Sequence, residues 1–350
     1  MLRKLTIVSF VGLMMTLLLI LTGCSSTSGT AEANKTSAYP TTVNVGIIEG
    51  GPESAILAKE GYLQKYIKTK VKVTTYSSGT DINNAFISHT LDLASFGSSP
   101  VTLGLVNGVS YKAVAVPYTE GGQIEALVAR NGTGIKSVKD LKGKTIGVPA
   151  GTTSHYALLQ ALKLAGLSTS DVTIEDLSGQ NIVAAWKRKE IDAAYTWSPS
   201  LDSIKKTGTV ITSDGQLASQ GISIPEIAVA TNNMITKYPK VVAQYVKAML
   251  AVGKLVKTNP QRAIADVASW EGISKAAAKA QIEDNHWLTG SEQLSSLTGT
   301  GSGSLVETLQ LTAQFHKLQE NITTVPSRKT LSATVDNDYL AEALGKETGK

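Results

Sequence analysis

Short β-branched runs, each followed by a polar turn and a helical stretch, recur along most of this chain, and the cycle restarts near residue 124. Thr42–Ile48 alternates and is β-branched, which predicts a strand; Glu49–Pro52 is a loop and Ser54–Lys65 a helix. Val71–Tyr76 is a second strand, followed by a turn at Ser77–Thr80 and a helix over Asp81–Ser88. Leu91–Phe96 leads into Gly97-Ser98-Ser99-Pro100 and a further helix. From Ile124–Arg130 onward the cycle repeats, through Thr145–Pro149, a helix opened by Gly151-Thr152-Thr153-Ser154, Val172–Leu177, a helix over Asn181–Lys189 and Ile191–Tyr195. Ile227–Ala230 is one more strand, and the chain from Tyr238 is mainly helical. Alternation of this kind specifies α/β layers on mainly parallel sheets. Two lobes, the second inserted into the first, account best for the order, with a single large sheet as the alternative. Residues 42–124 and 229–350 form lobe I, and residues 125–228 form lobe II.

The N-terminus constrains where such a fold works. Arg3 and Lys4 precede a nearly unbroken apolar run, Leu5–Leu21, which closes on Leu21-Thr22-Gly23-Cys24. That order is a secretory signal peptide over residues 1–23, and its end looks like a lipobox with Cys24 as the acylated residue. The run is long enough to span a bilayer, which takes about 20 residues. Small residues before the thiol and the polar tract after it favour cleavage instead. Residues 24–41, rich in Ser, Thr, Ala and Gly, read as a lipid-anchored flexible tether. The expected location is the extracytoplasmic face of the cell membrane.

Cys24 is the only cysteine, so once acylated it leaves no thiol for a disulfide, a nucleophile or a thiolate metal site. The formal charge of +5 loses two units with the signal peptide, and no basic run carries interleaved aromatics. A nucleic-acid partner is not expected. The four histidines, His89, His155, His286 and His316, show no paired metal spacing. P-loop and Gly-x-Ser-x-Gly patterns are absent, and neither cofactor nor metal is expected.

Three polar stretches each follow a strand and precede a helix: Ser77–Thr80, Gly97–Pro100 and Gly151–His155. Open α/β sheets bind ligands outside the carboxyl ends of their strands, where helix N-termini offer free N–H groups to anions. Any one stretch is also an ordinary helix cap. His155, near a helix start, suits either ligand contact or a supporting hydrogen bond. Glu125 and Glu226 fall at the two lobe crossings, on otherwise apolar strands. A carboxylate there needs a partner, either a hinge hydrogen bond or salt bridge or the ammonium of a ligand. Tyr195 and Trp197 end a lobe II strand, where an aromatic covers a small ligand.

Several stretches resemble substrate-binding proteins of ABC importers, in the taurine and aliphatic-sulfonate family. They include Gly97–Pro100, Glu125–Val128, Asp140–Lys144, Thr153–Leu159, Ala184–Trp186, Ile191–Pro199 and Thr312–Phe315. The resemblance implies a two-lobed, type II periplasmic-binding-protein-like fold without catalytic activity. It implies a small sulfonate as ligand, taurine first, with a permease and an ATPase as partners and a monomeric binding component. Ser98, Ser99, Thr152, Thr153 and Ser154 become sulfonate contacts, Tyr195 and Trp197 cleft walls, and Glu226 the acceptor of the taurine ammonium. Relatives usually carry Asp at that last position. The alternatives are another alkanesulfonate, a nitrate-like anion, or an enzyme of thiamine-pyrimidine synthesis. That enzyme class depends on a cysteine-rich motif that this chain lacks.

Overall fold

The computed structural model describes residues 38–346 apart from 300 and 302. The expected signal peptide, Cys24 and most of the tether lie outside the described residues. Twelve strands are present among them: β1 (Thr42–Ile48), β2 (Lys70–Tyr76), β3 (Leu93–Gly97), β4 (Tyr111–Ala115), β5 (Tyr118–Thr119), β6 (Glu125–Arg130), β7 (Thr145–Val148), β8 (Thr173–Asp176), β9 (Ala193–Trp197), β10 (Gly208–Ser213), β11 (Glu226–Thr231) and β12 (His286–Trp287). The first large sheet runs β2-β1-β3-β11-β4 and the second β8-β7-β9-β6-β10, with β5 and β12 forming a separate two-stranded ladder.

The two sheets share one plan. β1, β2 and β3 are mutually parallel, as are β7, β8 and β9. In each sheet the strand beside this trio runs the other way: β11 is antiparallel to β3 and β4, and β6 to β9 and β10. Both sheets are therefore mainly parallel with one reversed strand, a mixed arrangement. The reversed strands are the ones the chain enters on passing from one sheet to the other. The return comes at Glu226, ahead of the expected crossing near 228, because β11 lies wholly in the first sheet.

Alternating and continuous apolar runs explain the burial. β3, β6, β9 and β11 are buried almost throughout, as strands covered on both faces must be. Val43, Val45, Leu93, Phe96 and Ile227 pack with the long helix Pro239–Thr258 in the core of the first sheet. The second sheet has separate cores on its two faces, one around Leu127, Ile146 and Leu158 and the other around Val128, Ile182 and Trp186. The expected Ser54–Lys65 helix is two, Pro52–Lys59 and Tyr62–Tyr66, broken at Gly61.

Buried hydrogen bonds fix the helices that approach the cleft. The Tyr111 hydroxyl donates to Asn83 Oδ1 at 2.9 Å and lies 3.1 Å from the Val101 carbonyl, joining the helices Gly79–Ile87 and Ser98–Val106. Asn83 Nδ2 donates to the Pro100 carbonyl at 2.7 Å. Leu305–Leu318 spans both lobes, with Phe315 edge-on to Tyr156 at 5.0 Å and His316 Nε2 3.0 Å from the Ser99 carbonyl. Replacing Tyr111 by Phe leaves the buried Asn83 oxygen unpaired. Urea denaturation is expected to show a loss of about 1–3 kcal/mol.

Candidate ligand-binding site

The shared plan determines what reaches the cleft. Parallel strands deliver the following helix N-termini to their carboxyl edge, and a reversed strand begins at that same edge. Glu125, first in β6, therefore sits opposite Trp197, last in β9; Glu226, first in β11, sits opposite Gly97, last in β3. One cavity of about 50 Å³ collects these ends, lined by Glu49, Gly51, Gly79, Gly97, Tyr118, Glu120, Glu125, Thr152, Thr153, Trp197 and Glu226, among others.

Part of the cavity wall is made of helix starts. The helices Pro52–Lys59 and Ser98–Val106 have Gly51 and Gly97 as N-caps, neither supplying a side-chain cap. Gly79–Ile87 and Thr153–Leu164 begin beside them, capped by Ser78 and Thr152. Unfilled N–H groups and the positive ends of these dipoles suit an anionic group. The close approach of the lobes depends on Gly97, since a Cβ there would stand 2.5 Å from Thr153 Cγ2.

Carboxyls stand among these helix starts: Glu120, Glu125 and Glu226 line the cavity, Glu53 and Asp214 are buried close to them, and no Lys, Arg or His among the described residues lines it. Glu125 accepts two hydroxyl hydrogen bonds of 2.6 Å, from Thr153 to Oε1 and from Ser154 to Oε2. Burial nevertheless pushes it up to about 8, with the nearby Asp214 charge adding to the rise. Burial also raises Glu53 to about 8, despite a 3.1 Å hydrogen bond from Ser95. Glu226 is raised well above the usual carboxylate range by burial and then by Glu53 and Glu125, with no hydrogen bond to offset it.

Glu120 and Asp214 meet carboxyl to carboxyl behind Glu125. The three offer oxygens that lie within 4.8 Å of one another. Tyr195 donates to Asp214 Oδ1 at 2.6 Å, whereas Glu120 Oε2 and Asp214 Oδ2 have no N–H or hydroxyl partner. A proton shared between them satisfies both. Burial lifts Asp214 to about 6 and Glu120 well above its ordinary value. A hard divalent ion asks for six or more oxygens, and Thr153, Ser154 and Tyr195 already occupy three of those present. Protons or an ammonium fit the trio better.

The residues singled out from sequence separate into two groups. Thr152, Thr153, Trp197, Glu125 and Glu226 line the cavity together. Ser154 reaches it only through Glu125. The Ser98 hydroxyl is buried without a partner, and its backbone N–H donates to the Pro225 carbonyl at 3.0 Å. Ser99 faces Gly151 and His316. His155 accepts from the Gly151 N–H at 3.3 Å and stands edge-on to Phe315, and burial lowers its pKa. Tyr195 is enclosed in the second sheet's core. Sequence reasoning missed Glu53, Glu120 and Asp214. Glu53 and Asp214 look like ordinary acids in a helix first turn, and Glu120 like a loop residue beside Gly121-Gly122.

Two mirrored α/β sheets with a polar cavity at their facing edges define a two-lobed binding-protein fold. The chain belongs to the family described as NMT1/THI5 like, which it matches over residues 58–263. It is 30% identical over 256 residues to the taurine-binding periplasmic protein of Escherichia coli K12, covering 71% of this chain and 78% of that one. It is 24% identical over 330 residues to a putative aliphatic sulfonates-binding protein of Bacillus subtilis 168, covering 93% of each. Its fold superposes with a TM-score of 0.70 on the alkanesulfonate-binding protein SsuA of Xanthomonas axonopodis pv. citri bound to MOPS. The identity there is 19%, and 85% of this chain and 99% of that chain are covered. No helix among the described residues is long and apolar enough to cross a membrane.

The raised carboxyls make the stability of the ligand-free protein depend on pH. A carboxyl whose pKa rises on folding favours the folded state below its unfolded value, near 4.5. That contribution is lost as pH rises through the folded value, about 8 for Glu53 and Glu125. The urea midpoint is expected to fall between pH 5 and pH 8.5, and Glu125→Gln to flatten that fall.

Proposed function

We propose that this protein is a non-catalytic solute-binding component of an ABC importer that captures taurine or a close amino-sulfonate between its lobes. The observation that carries the reading is the lining of the cavity: helix N-termini and buried carboxyls side by side, with no basic side chain among the described residues of its wall. A sulfonate is anionic at neutral pH and asks for donors without a proton acceptor. An ammonium two carbons away asks for carboxylates, Glu226 first and then Glu125. A plain alkanesulfonate or nitrate would meet those carboxylates with no positive charge to offset them. The likeness to the E. coli taurine-binding protein supports the same ligand.

The sequence features outside the described residues complete the proposal. Acylation of Cys24 would hold the domain at the extracytoplasmic face of the membrane, next to a permease and its ATPase. The tether of residues 24–41 would give it reach. Fractionation of cells carrying Cys24→Ala tests this, with release from the membrane fraction as the expected outcome.

Calorimetry tests the ligand. Taurine is expected to bind and ethanesulfonate to bind far more weakly; equal binding by the two would sink the ammonium assignment. Glu226→Gln removes one charge-assisted contact worth about 1.5–3 kcal/mol, so taurine affinity should fall by about 10- to 150-fold. Taurine affinity should also rise from pH 5 to pH 8, because an ammonium is held best once the raised carboxyls have released their protons.

A further inference from the structure

Resting on the amino-sulfonate reading, the structure also assigns what limits the length of the ligand. A second cavity of about 480 Å³ lies outside the inner cavity of the site, and the two share Glu49, Thr152 and Trp197 as a common wall. At 10–15 Å³ for each water, the inner cavity of about 50 Å³ holds on the order of four waters, the scale of a two-carbon zwitterion. The outer one is several times larger, is polar, and has no basic side chain on its walls.

Trp197 has the largest side chain of that shared wall. It ends β9 in the second sheet, opposite Glu125, and its indole N–H donates to the Glu49 carbonyl at 3.2 Å, in the loop that follows β1 of the first sheet. The contact therefore runs from one lobe to the other across the cavity. Residue 50 permits it. Gly50 has φ +79°, and a Cβ there would collide with the Ser198 carbonyl oxygen and press on Trp197 Cδ1 at 3.0 Å. With glycine at this place the loop lies flat against Trp197 and Ser198, and the indole borders both cavities.

We propose that Trp197 is the specificity-determining residue for ligand length. Held by Glu49, it confines the bound molecule to the inner cavity. Its truncation joins the two cavities and admits longer zwitterions carrying the same two charges. Thr152 and Glu49 remain in place as fixed edges of the opening.

The test compares taurine with homotaurine, one methylene longer, and with N-cyclohexyltaurine, by calorimetry on the intact domain. Wild-type protein should prefer taurine over both. A single methylene in a closed pocket is worth on the order of 10–200-fold. Trp197→Ala should reduce the preference over at least one longer probe by about tenfold or more. Trp197→Phe keeps a ring over the cavity and should keep most of the preference, with faster taurine release as the N–H contact is lost. A merely structural role would weaken all three ligands by one factor. An unchanged preference in Trp197→Ala, or no preference in the wild type, overturns the assignment. Trp197→Val carries the same comparison if the alanine variant fails to fold. Failure of wild-type protein to bind taurine at all overturns the amino-sulfonate reading and this assignment with it; an unchanged preference in a protein that binds taurine overturns the length gate alone.

Discussion

A carboxylate withdrawn from water costs several kcal/mol unless a proton or a positive charge meets it, and this protein buries five close together, three of them lining one cavity. Burial is the first cause of every one of their raised pKa values. Without a lysine or arginine on the cavity wall, the ligand-free site is relieved by holding protons. Glu120 and Asp214 show this most plainly, since their facing oxygens need one between them. A compact cation that donates several hydrogen bonds is the group that would best replace such protons.

That cluster exists because of strand direction. Parallel strands bring helix starts to one edge of each sheet, and a single reversed strand brings its own first residue to the same edge. Glu125 and Glu226 occupy equivalent places in the two sheets, each opposite the last residue of the third parallel strand. The meeting of helix starts and carboxyls at the cavity is thus a product of one topology used twice. Phe315 and His316 then tie the lobes together from the Leu305–Leu318 helix. Burial holds His316 down to about 4, keeping it neutral above that pH.

Much of this was legible in the sequence because its signals are local. Alternation and β-branching marked β1, β2 and β7, and polar turns ahead of helices marked Thr152 and Gly97. The oddity of a glutamate opening an apolar strand marked Glu125 and Glu226. β4, β5 and β10 were not read, since their residues alternate weakly and owe their pairing to distant partners. The same limit applies to the site. Ser99 and Tyr195 have the right chemistry for ligand contact, but His316 and Asp214, far off in sequence, take up their hydroxyls. Glu53, between the expected loop and helix, has no local signal that marks a residue only 2% exposed.

The absence of a fixed positive charge in the cavity also governs how the protein lets go. At a given separation, charge attraction scales inversely with the local dielectric, and water multiplies that dielectric several-fold over a closed protein interior. A site gripping its ligand with dipoles and carboxylates is strong only while dry. Parting the lobes enough to break the Trp197–Glu49 contact would flood the cavity. The grip of such a site would then weaken without any competing ligand or chemical step, so a partner that merely pried the lobes apart would empty it.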